Sequence, residues 1–397
     1  MVKPKSRGLT ELSKCHPLIV HGQGVFLFKT KSDNCSFTIF DNERVNGLIV
    51  EFTKTSISVK SVPYNEPLED YSNDSGIIDA SGAYYWFSLD SHNQILFAGI
   101  GEPRLENTVY RYAFPDNIWD SNKKFLESLT QISIKYNIDI TPMRLIRDPL
   151  TTSVPLIVKG MDQLTMDDVA KNKYMPIANL SLTSQKLYNC IAGPNFTLNT
   201  DDFPDFYNAI EYSIATPGCW CNKVLKEKST EFNKDRPNIL ETYLRITLGQ
   251  NNGESPGIPY VMEIWPKGHY SPIHGHADAE AIIRVLEGDI NVNLYPFLSS
   301  DILPFANKTF KKDDIMWISP TLNQTHQLKN TGSSTCVTIQ CYMYDESNDL
   351  HYDYFDYLDD TGAVKQYDPD SDIDFIDFKE LMRNEWNSRM YRWCCRR

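Results

Sequence analysis

The stretch Trp265-Pro266-Lys267-Gly268-His269-Tyr270-Ser271-Pro272-Ile273-His274-Gly275-His276 decides the reading of this chain. The whole sequence holds only eight histidines, so a cluster here is informative. In a strand, residues i and i+2 share a face, and His274 and His276 can then aim two imidazoles at one metal inside a barrel. His-x-His alone is weak evidence. Further along, Asp314-Ile-Met-Trp-Ile-Ser-Pro320 leads to His326-Gln-Leu-Lys-Asn330, which delivers a third imidazole from a neighbouring strand pair. His274, His276 and His326 are the candidate metal ligands.

Around this stretch the pattern is strand after strand. Tyr243 to Leu248, Tyr260 to Trp265, Ala281 to Leu286, Asn291 to Tyr295, Asp314 to Ile318, His326 to Lys329 and Cys336 to Tyr344 are short and broken by turns such as Glu287-Gly288-Asp289. They predict a jelly roll or small barrel, closed so that few edges are exposed. A helix start at Asn199 to Pro204 leads into an apolar stripe through Phe206, Ile210, Tyr212 and Ile214. From about 15 to 115, Ser36 to Phe40, Gly47 to Val59, Tyr84 to Leu89, Ile95 to Ile100 and Thr108 to Tyr112 suggest a β-sandwich. Helical stretches are expected over Ser121 to Tyr136 and Thr165 to Lys173, the latter with Asp167 and Asp168 in its first turn. The fold class is therefore mainly β: a barrel in the C-terminal half with a few helices, preceded by a β-rich, sandwich-like N-terminal domain. The expected divisions are 1–116, of unknown role; 117–198, a mixed α/β connecting region; 199–365, the barrel domain; and 366–397, an acidic segment with a basic amphipathic helix.

The 397 residues leave room for two or three domains, and 41% hydrophobic with 23% charged residues excludes wholesale disorder, a fibre or a coiled coil. A net charge of -13 lacks the excess of basic residues that nucleic-acid affinity needs, so no nucleic-acid partner is expected. No apolar run approaches a membrane span, and the basic N-terminus has no apolar segment of a signal peptide. Nine scattered cysteines are expected to be reduced thiols in a cytoplasmic setting. Triplets at Asn73, Asn195 and Asn307 mean little without a secretory signal.

The histidine motifs resemble the cupin superfamily, whose first motif is Gly-x5-His-x-His-x3,4-Glu-x6-Gly and whose second is roughly Gly-x5-Pro-x-Gly-x2-His-x3-Asn. Gly268, His274, His276 and Gly288 match the first; Pro320, His326 and Asn330 match the second with one extra residue before the histidine. Within that superfamily the chain is most similar to the thiol dioxygenases of the cysteine dioxygenase type. The carrying residues are Tyr243-Leu-Arg245, the block from Trp265 to His276, Val337 to Tyr342, Tyr354-Phe355-Asp356 and Thr361-Gly362, over about residues 200–365.

That resemblance implies Fe(II) held by His274, His276 and His326, with Arg245 clamping the substrate carboxylate through a paired guanidinium contact. It implies Tyr342 steadying substrate and oxygen, and Trp265 beneath the site. Where other cupins place a carboxylate ligand stands Ala281; Glu280 is one residue off, and a one-residue shift on a strand sends it to the opposite face. Ala281 also occupies the place of the cysteine that in animal relatives cross-links to the tyrosine, so no thioether is expected. Gln340 replaces the relay histidine; its amide can bond the tyrosine but cannot titrate near neutral pH. His269 has the wrong parity for the ligand face and is expected at the rim. The substrates implied are a small thiol, L-cysteine foremost, and O2; Arg245 favours L-cysteine over 3-mercaptopropionate, the alternative, since relatives preferring the latter tend to carry Gln there. An inactive barrel serving as a scaffold is the alternative of another class.

Three further features are set aside. Cys219-Trp-Cys221 has no partner nearby and is expected in a loop or helix interior. Asp368-Pro-Asp370-Ser-Asp372 opens like a calcium loop, but Ile373 and Lys379 stand where Gly and the last ligand belong, leaving a solvated acidic face. The terminal helix from Phe378 to Arg397 carries Leu381, Met382, Trp386 and Met390 with Arg383, Arg389, Arg392, Arg396 and Arg397, and is expected to pack on its own barrel.

Overall fold

The computed structural model describes residues 15–62, 67–72, 78, 83–115, 121–134, 140–249, 260–344 and 354–394. The N-terminal residues 1–14, Asn73, residues 345–353 and Arg396 and Arg397 lie outside this description, as do the side chains of Met390 and Arg392. The chain divides into two compact units, Met1–Ser153 and Val154–Arg397. The stretch 117–198 is shared between them.

The first unit has a six-stranded sheet and a five-stranded sheet. Its core is aromatic: Phe26, Phe28 and Phe87 from one sheet meet Phe37 and Phe52 from the other, with Phe28 and Phe37 ring centres 4.7 Å apart. Two expectations change here. Gly47 to Val59 is a hairpin, Gly47–Thr53 and Ser56–Val62, because Thr53 Oγ1 accepts the backbone N–H of Thr55 and Ser56 and turns the chain. The helix from Ser121 stops at Ser128, and Gln131–Ile134 joins the sheet beside Asn34–Phe40. The last two residues of the expected helix, 135–136, lie outside the described residues.

In the second unit a six-stranded sheet runs in the order Ile315–Ile318, Glu280–Glu287, Cys336–Met343, Tyr260–Trp265, Leu244–Leu248, Ile373–Asp374. A three-stranded sheet, Ala306–Lys311, Asp289–Tyr295 and Thr325–Lys329, accompanies it. Among the described residues neither closes on itself, so of the expected jelly roll or barrel the structure shows two separate sheets. Strand parity sorts the side chains into two cores. Ala281, Ile283 and Val285 pack with Ile290, Val292, Leu294, Phe310 and Leu328 between the sheets. Leu244, Ile246, Met262, Ile264, Ile282, Val337, Ile339 and Cys341 face the other way, against helices.

Those helices include Leu182–Ile191, Phe206–Ala215, Trp220–Glu227 and the terminal Phe375–Cys394. Phe378 and Met382 of the last are fully buried, which seats it on its own unit as the sequence suggested. Its basic residues serve that seat: Arg383 reaches the Asp202 carboxylate at 2.8 Å, and Arg389 stacks on Trp386. Cys221 lies in the same core, its thiol pushed up by burial, where it contacts Met382. At Met166–Ala170, Thr165 and Asp168 form a reciprocal capping box. No helix among the described residues is long and apolar enough to cross a membrane.

Candidate metal centre

His274-Gly275-His276 does not belong to a regular strand. His274 makes one antiparallel bridge to His326, with N–H to carbonyl distances of 3.0 Å in both directions, and another to Tyr357. The chain then turns through Ala277 and Asp278, both at positive φ. The i, i+2 geometry thus survives without the strand, because two neighbours hold the backbone extended. His326 arrives on Thr325–Lys329, paired with Leu294.

The three imidazoles converge, with one nitrogen from each lying within 4.8 Å of the others. Nε2 of His276 and Nε2 of His326 are 3.0 Å apart. Two nitrogens sharing one metal at about 2.1 Å and a right angle are separated by about that distance, so the donor set fits a single ion. His274 Nδ1 lies 3.1 Å from the Pro272 carbonyl, which requires its proton there and leaves the Nε2 lone pair free as a ligand. Burial pushes His274 down to about 4 and holds His276 and His326 well below the ordinary imidazole value. All three are neutral at pH 7, the state a metal requires.

Among the described residues no carboxylate joins them. Ala281 is fully buried opposite Tyr342 in the sheet. Glu280 points away, accepting hydrogen bonds from the hydroxyls of Ser181 and of Ser184, the latter at 2.6 Å, as strand parity predicts. Gly268 and Asn330 brace the loop: Gly268 donates to the Asn330 carbonyl at 2.9 Å, and Asn330 Nδ2 reaches the Trp265 carbonyl at 2.7 Å. Gly288 has φ +73°, and a Cβ there would meet the Thr335 carbonyl oxygen at 2.7 Å. His269 lines no part of the cavity; its Nδ1 sits 2.9 Å from the Thr242 carbonyl.

The histidines form one wall of a cavity of about 470 Å³ including its mouth. Arg245, Trp265, Gln340 and Tyr342 line it too, on the inward parity of three adjacent strands. Trp265 stacks on Tyr243, ring centres 4.3 Å apart, and donates through Nε1 to Thr338 Oγ1 at 3.3 Å. The Tyr342 ring lies parallel to His276 with centres 5.7 Å apart, and burial followed by Glu263 raises its phenol well above the ordinary value.

Sequence reasoning missed Glu263. It sits directly opposite Arg245 in the sheet, and Arg245 Nη1 donates to its Oε1 at 2.8 Å. Burial raises its carboxyl while Arg245 opposes the rise, and Glu263 in turn keeps the guanidinium charged against burial. Gln340 lies against the same carboxylate, its Nε2 short of a well-formed hydrogen bond. A signal existed: Glu263 shares parity with Trp265 in an otherwise apolar strand, and a buried acid needs a partner.

The segment read as a solvated acidic face is exposed at Asp368 and Asp370, as expected, but not at Asp372. The Asp372 carboxylate accepts the Arg245 backbone N–H at 2.7 Å and meets Lys228 Nζ at 3.0 Å. Ile373 pairs with Ile246, so the acidic segment clamps the arginine's strand. The hairpin Phe355–Leu358 with Val364–Tyr367 brings Phe355, Tyr357 and Tyr367 to the cavity.

No protein-family model matches the chain. Among curated proteins it is similar to cysteine dioxygenase type 1 of Rattus norvegicus and of Mus musculus, 23% identical in each case over 105 residues, which cover 26% of this chain and 50% of each relative. The chain thus spans about half the length of the curated relatives it matches. Among solved structures it is similar to the cupin domain of Schizosaccharomyces pombe Cnp3, with a TM-score of 0.21, 16% identity and coverage of 26% of this chain and 65% of that one. Another is a Klebsiella pneumoniae protein with a double-stranded β-helix domain, at a TM-score of 0.20 and 16% identity, covering 27% of this chain and 80% of that one. In the second unit, two sheets accompany a three-histidine cluster supplied by two separate stretches of sequence.

Proposed function

We propose that the second unit is a non-haem Fe(II)-dependent thiol dioxygenase, adding both atoms of O2 to a small thiol so that R–SH and O2 give the sulfinic acid R–SO2H. The observation that carries it is the convergence of three neutral histidines, two buried and one half-buried, with no carboxylate among them in the described residues, on an aromatic-lined cavity. His274, His276 and His326 would hold the iron, and neutral ligands leave its charge to be offset by a substrate thiolate. When bound, the ion supplies the site at which thiolate and O2 meet.

The chain's own residues do the rest. Trp265 and Tyr243, stacked on each other, supply an apolar aromatic part of the cavity lining. Tyr342, kept as a neutral phenol, presents a hydroxyl donor toward the reacting groups. Arg245 and Glu263 set the charge of the substrate end of the cavity. L-cysteine is the substrate implied by the resemblance, with 3-mercaptopropionate as its relative. The reading includes a reducing, cytoplasmic setting.

The test is the full chain loaded with Fe(II) and offered L-cysteine, 3-mercaptopropionate and 2-aminoethanethiol. Thiol-dependent O2 uptake with one sulfinate formed per O2 is expected, lost in His326→Ala together with the bound iron. Stoichiometric iron with no uptake for any thiol refutes the reading and favours a scaffold.

A further inference from the structure

The guanidinium expected to clamp a substrate carboxylate is already paired. Arg245 Nη1 meets Glu263 Oε1 at 2.8 Å, with the two side chains only 8% and 6% exposed. The pairing is imposed by the sheet: the two residues are opposite each other in register, and both face the histidines. From the other side Asp372 bonds the Arg245 backbone, so the strand cannot shift to free the side chain. Among the described residues lining the cavity no lysine or second arginine stands ready to take either partner.

A carboxylate reaching for Arg245 must therefore displace Glu263, leaving a buried anion with only the more distant charge of Lys228 to oppose it, or lie beside it and be repelled. A neutral or cationic substituent meets neither obstacle. Phe232, Tyr243, Tyr357 and Tyr367 also line the cavity, and these uncharged aromatic side chains oppose neither an ammonium nor a neutral group. We propose that Glu263 sets the substrate class, and that this cavity takes a small aminothiol carrying no free carboxylate. The proposal rests on the thiol dioxygenase reading and departs from L-cysteine within it. Glu263 acts here as a specificity-determining residue, through the arginine it occupies.

A rival arrangement is specific enough to be tested against it. Nε of Arg245 is buried and has no hydrogen-bond partner. If Glu263 only steadies the guanidinium while a carboxylate takes the Nε edge, removing Glu263 weakens L-cysteine binding instead of strengthening it.

The experiment follows thiolate binding to the Co(II)-loaded full chain by absorption, independently of turnover, for 2-aminoethanethiol, L-cysteine methyl ester and L-cysteine. The ester removes the carboxylate charge while keeping the rest of the molecule. Expected is binding of the first two at least about 10-fold tighter than L-cysteine, the cost of breaking a buried pair being at least that large. Glu263→Gln should shift the ratio of L-cysteine to ester affinity toward the acid by about 10-fold or more. Glu263→Leu gives the same readout if the first variant does not fold, and the acid-to-ester comparison needs no variant. Equal affinity for acid and ester, or weaker L-cysteine binding in Glu263→Gln, overturns the substrate class and leaves the thiol dioxygenase reading standing. If no thiol perturbs the Co(II) spectrum and none drives O2 uptake in the Fe(II) protein, that reading falls and the substrate class with it.

Discussion

Acidifying the metal-free protein tests the three histidines as a group. In the unfolded chain an imidazole titrates near its ordinary value of about 6.5. In the folded protein burial pushes His274 down to about 4 and holds His276 and His326 well below the ordinary value. Between about 6.5 and 4 the unfolded state thus binds protons that the folded state refuses, and stability falls as the pH falls. For His274 the gap of about 2.5 pH units is worth about 3 kcal/mol by pH 4, an upper bound because this ring is only partly buried and keeps some hydration. His276 and His326, 2% and 1% exposed, add losses of the same sign. The assay is urea denaturation of the chelator-treated full chain, followed by tryptophan fluorescence at half-unit steps from pH 7.5 to 5. Each of His276→Asn and His326→Asn should flatten the slope by up to about 1.4 kcal/mol per pH unit, one proton's worth. His269→Asn should also flatten the slope, since His269 is likewise lowered by burial though it lies outside the cavity, so the three variants together separate the cluster's share from the whole. Slopes identical in the unaltered protein, His276→Asn and His326→Asn would show that these rings titrate normally, and the buried neutral cluster would be refuted.

Other outcomes follow from single contacts. Arg245→Leu should destabilise the protein by about 3–5 kcal/mol by stranding Glu263, whereas Arg245→Leu with Glu263→Leu should cost far less, as a double-mutant cycle in thermal or urea unfolding can measure. Asp372→Ala removes an acceptor from the Arg245 backbone and from Lys228, and should lower stability by about 1.5–3 kcal/mol, with faster amide exchange along Leu244–Leu248. Gly288→Ala should cost more than about 1 kcal/mol in the same unfolding assays, since its φ is positive and the Thr335 carbonyl occupies the space a Cβ needs.

Much of the second unit could be read from alternation alone. Tyr260–Trp265 begins and ends where the pattern places it, and most of the other predicted strands there differ by one or two residues at an end. Ala306–Lys311 escaped because Ala-Asn-Lys-Thr-Phe-Lys has little apolar alternation; it borders a sheet, with most of its side chains toward water. Phe355–Leu358 and Val364–Tyr367 escaped because acidic and aromatic residues mix there without a clear period. Their value lies in packing: Tyr367 sits 4.9 Å from Phe232, ring centre to ring centre, and donates to Glu231 Oε1 at 2.9 Å.

The sequence by itself determined which residue types could act and which face each would take. Side-chain direction in a strand is a local property of the backbone, so the outward turn of Glu280 and the inward turn of Arg245, Gln340 and Tyr342 follow from counting. It also marked three histidines as a set. What it could not state is who stands opposite whom. The pairing of Arg245 with Glu263, the bridge between His274 and His326 and the clamp from Asp372 join residues far apart in the chain, and they depend on strand register. Register is fixed by the packing of whole sheets. Only the tertiary structure therefore decided that the arginine marking a carboxylate site already holds a carboxylate of its own.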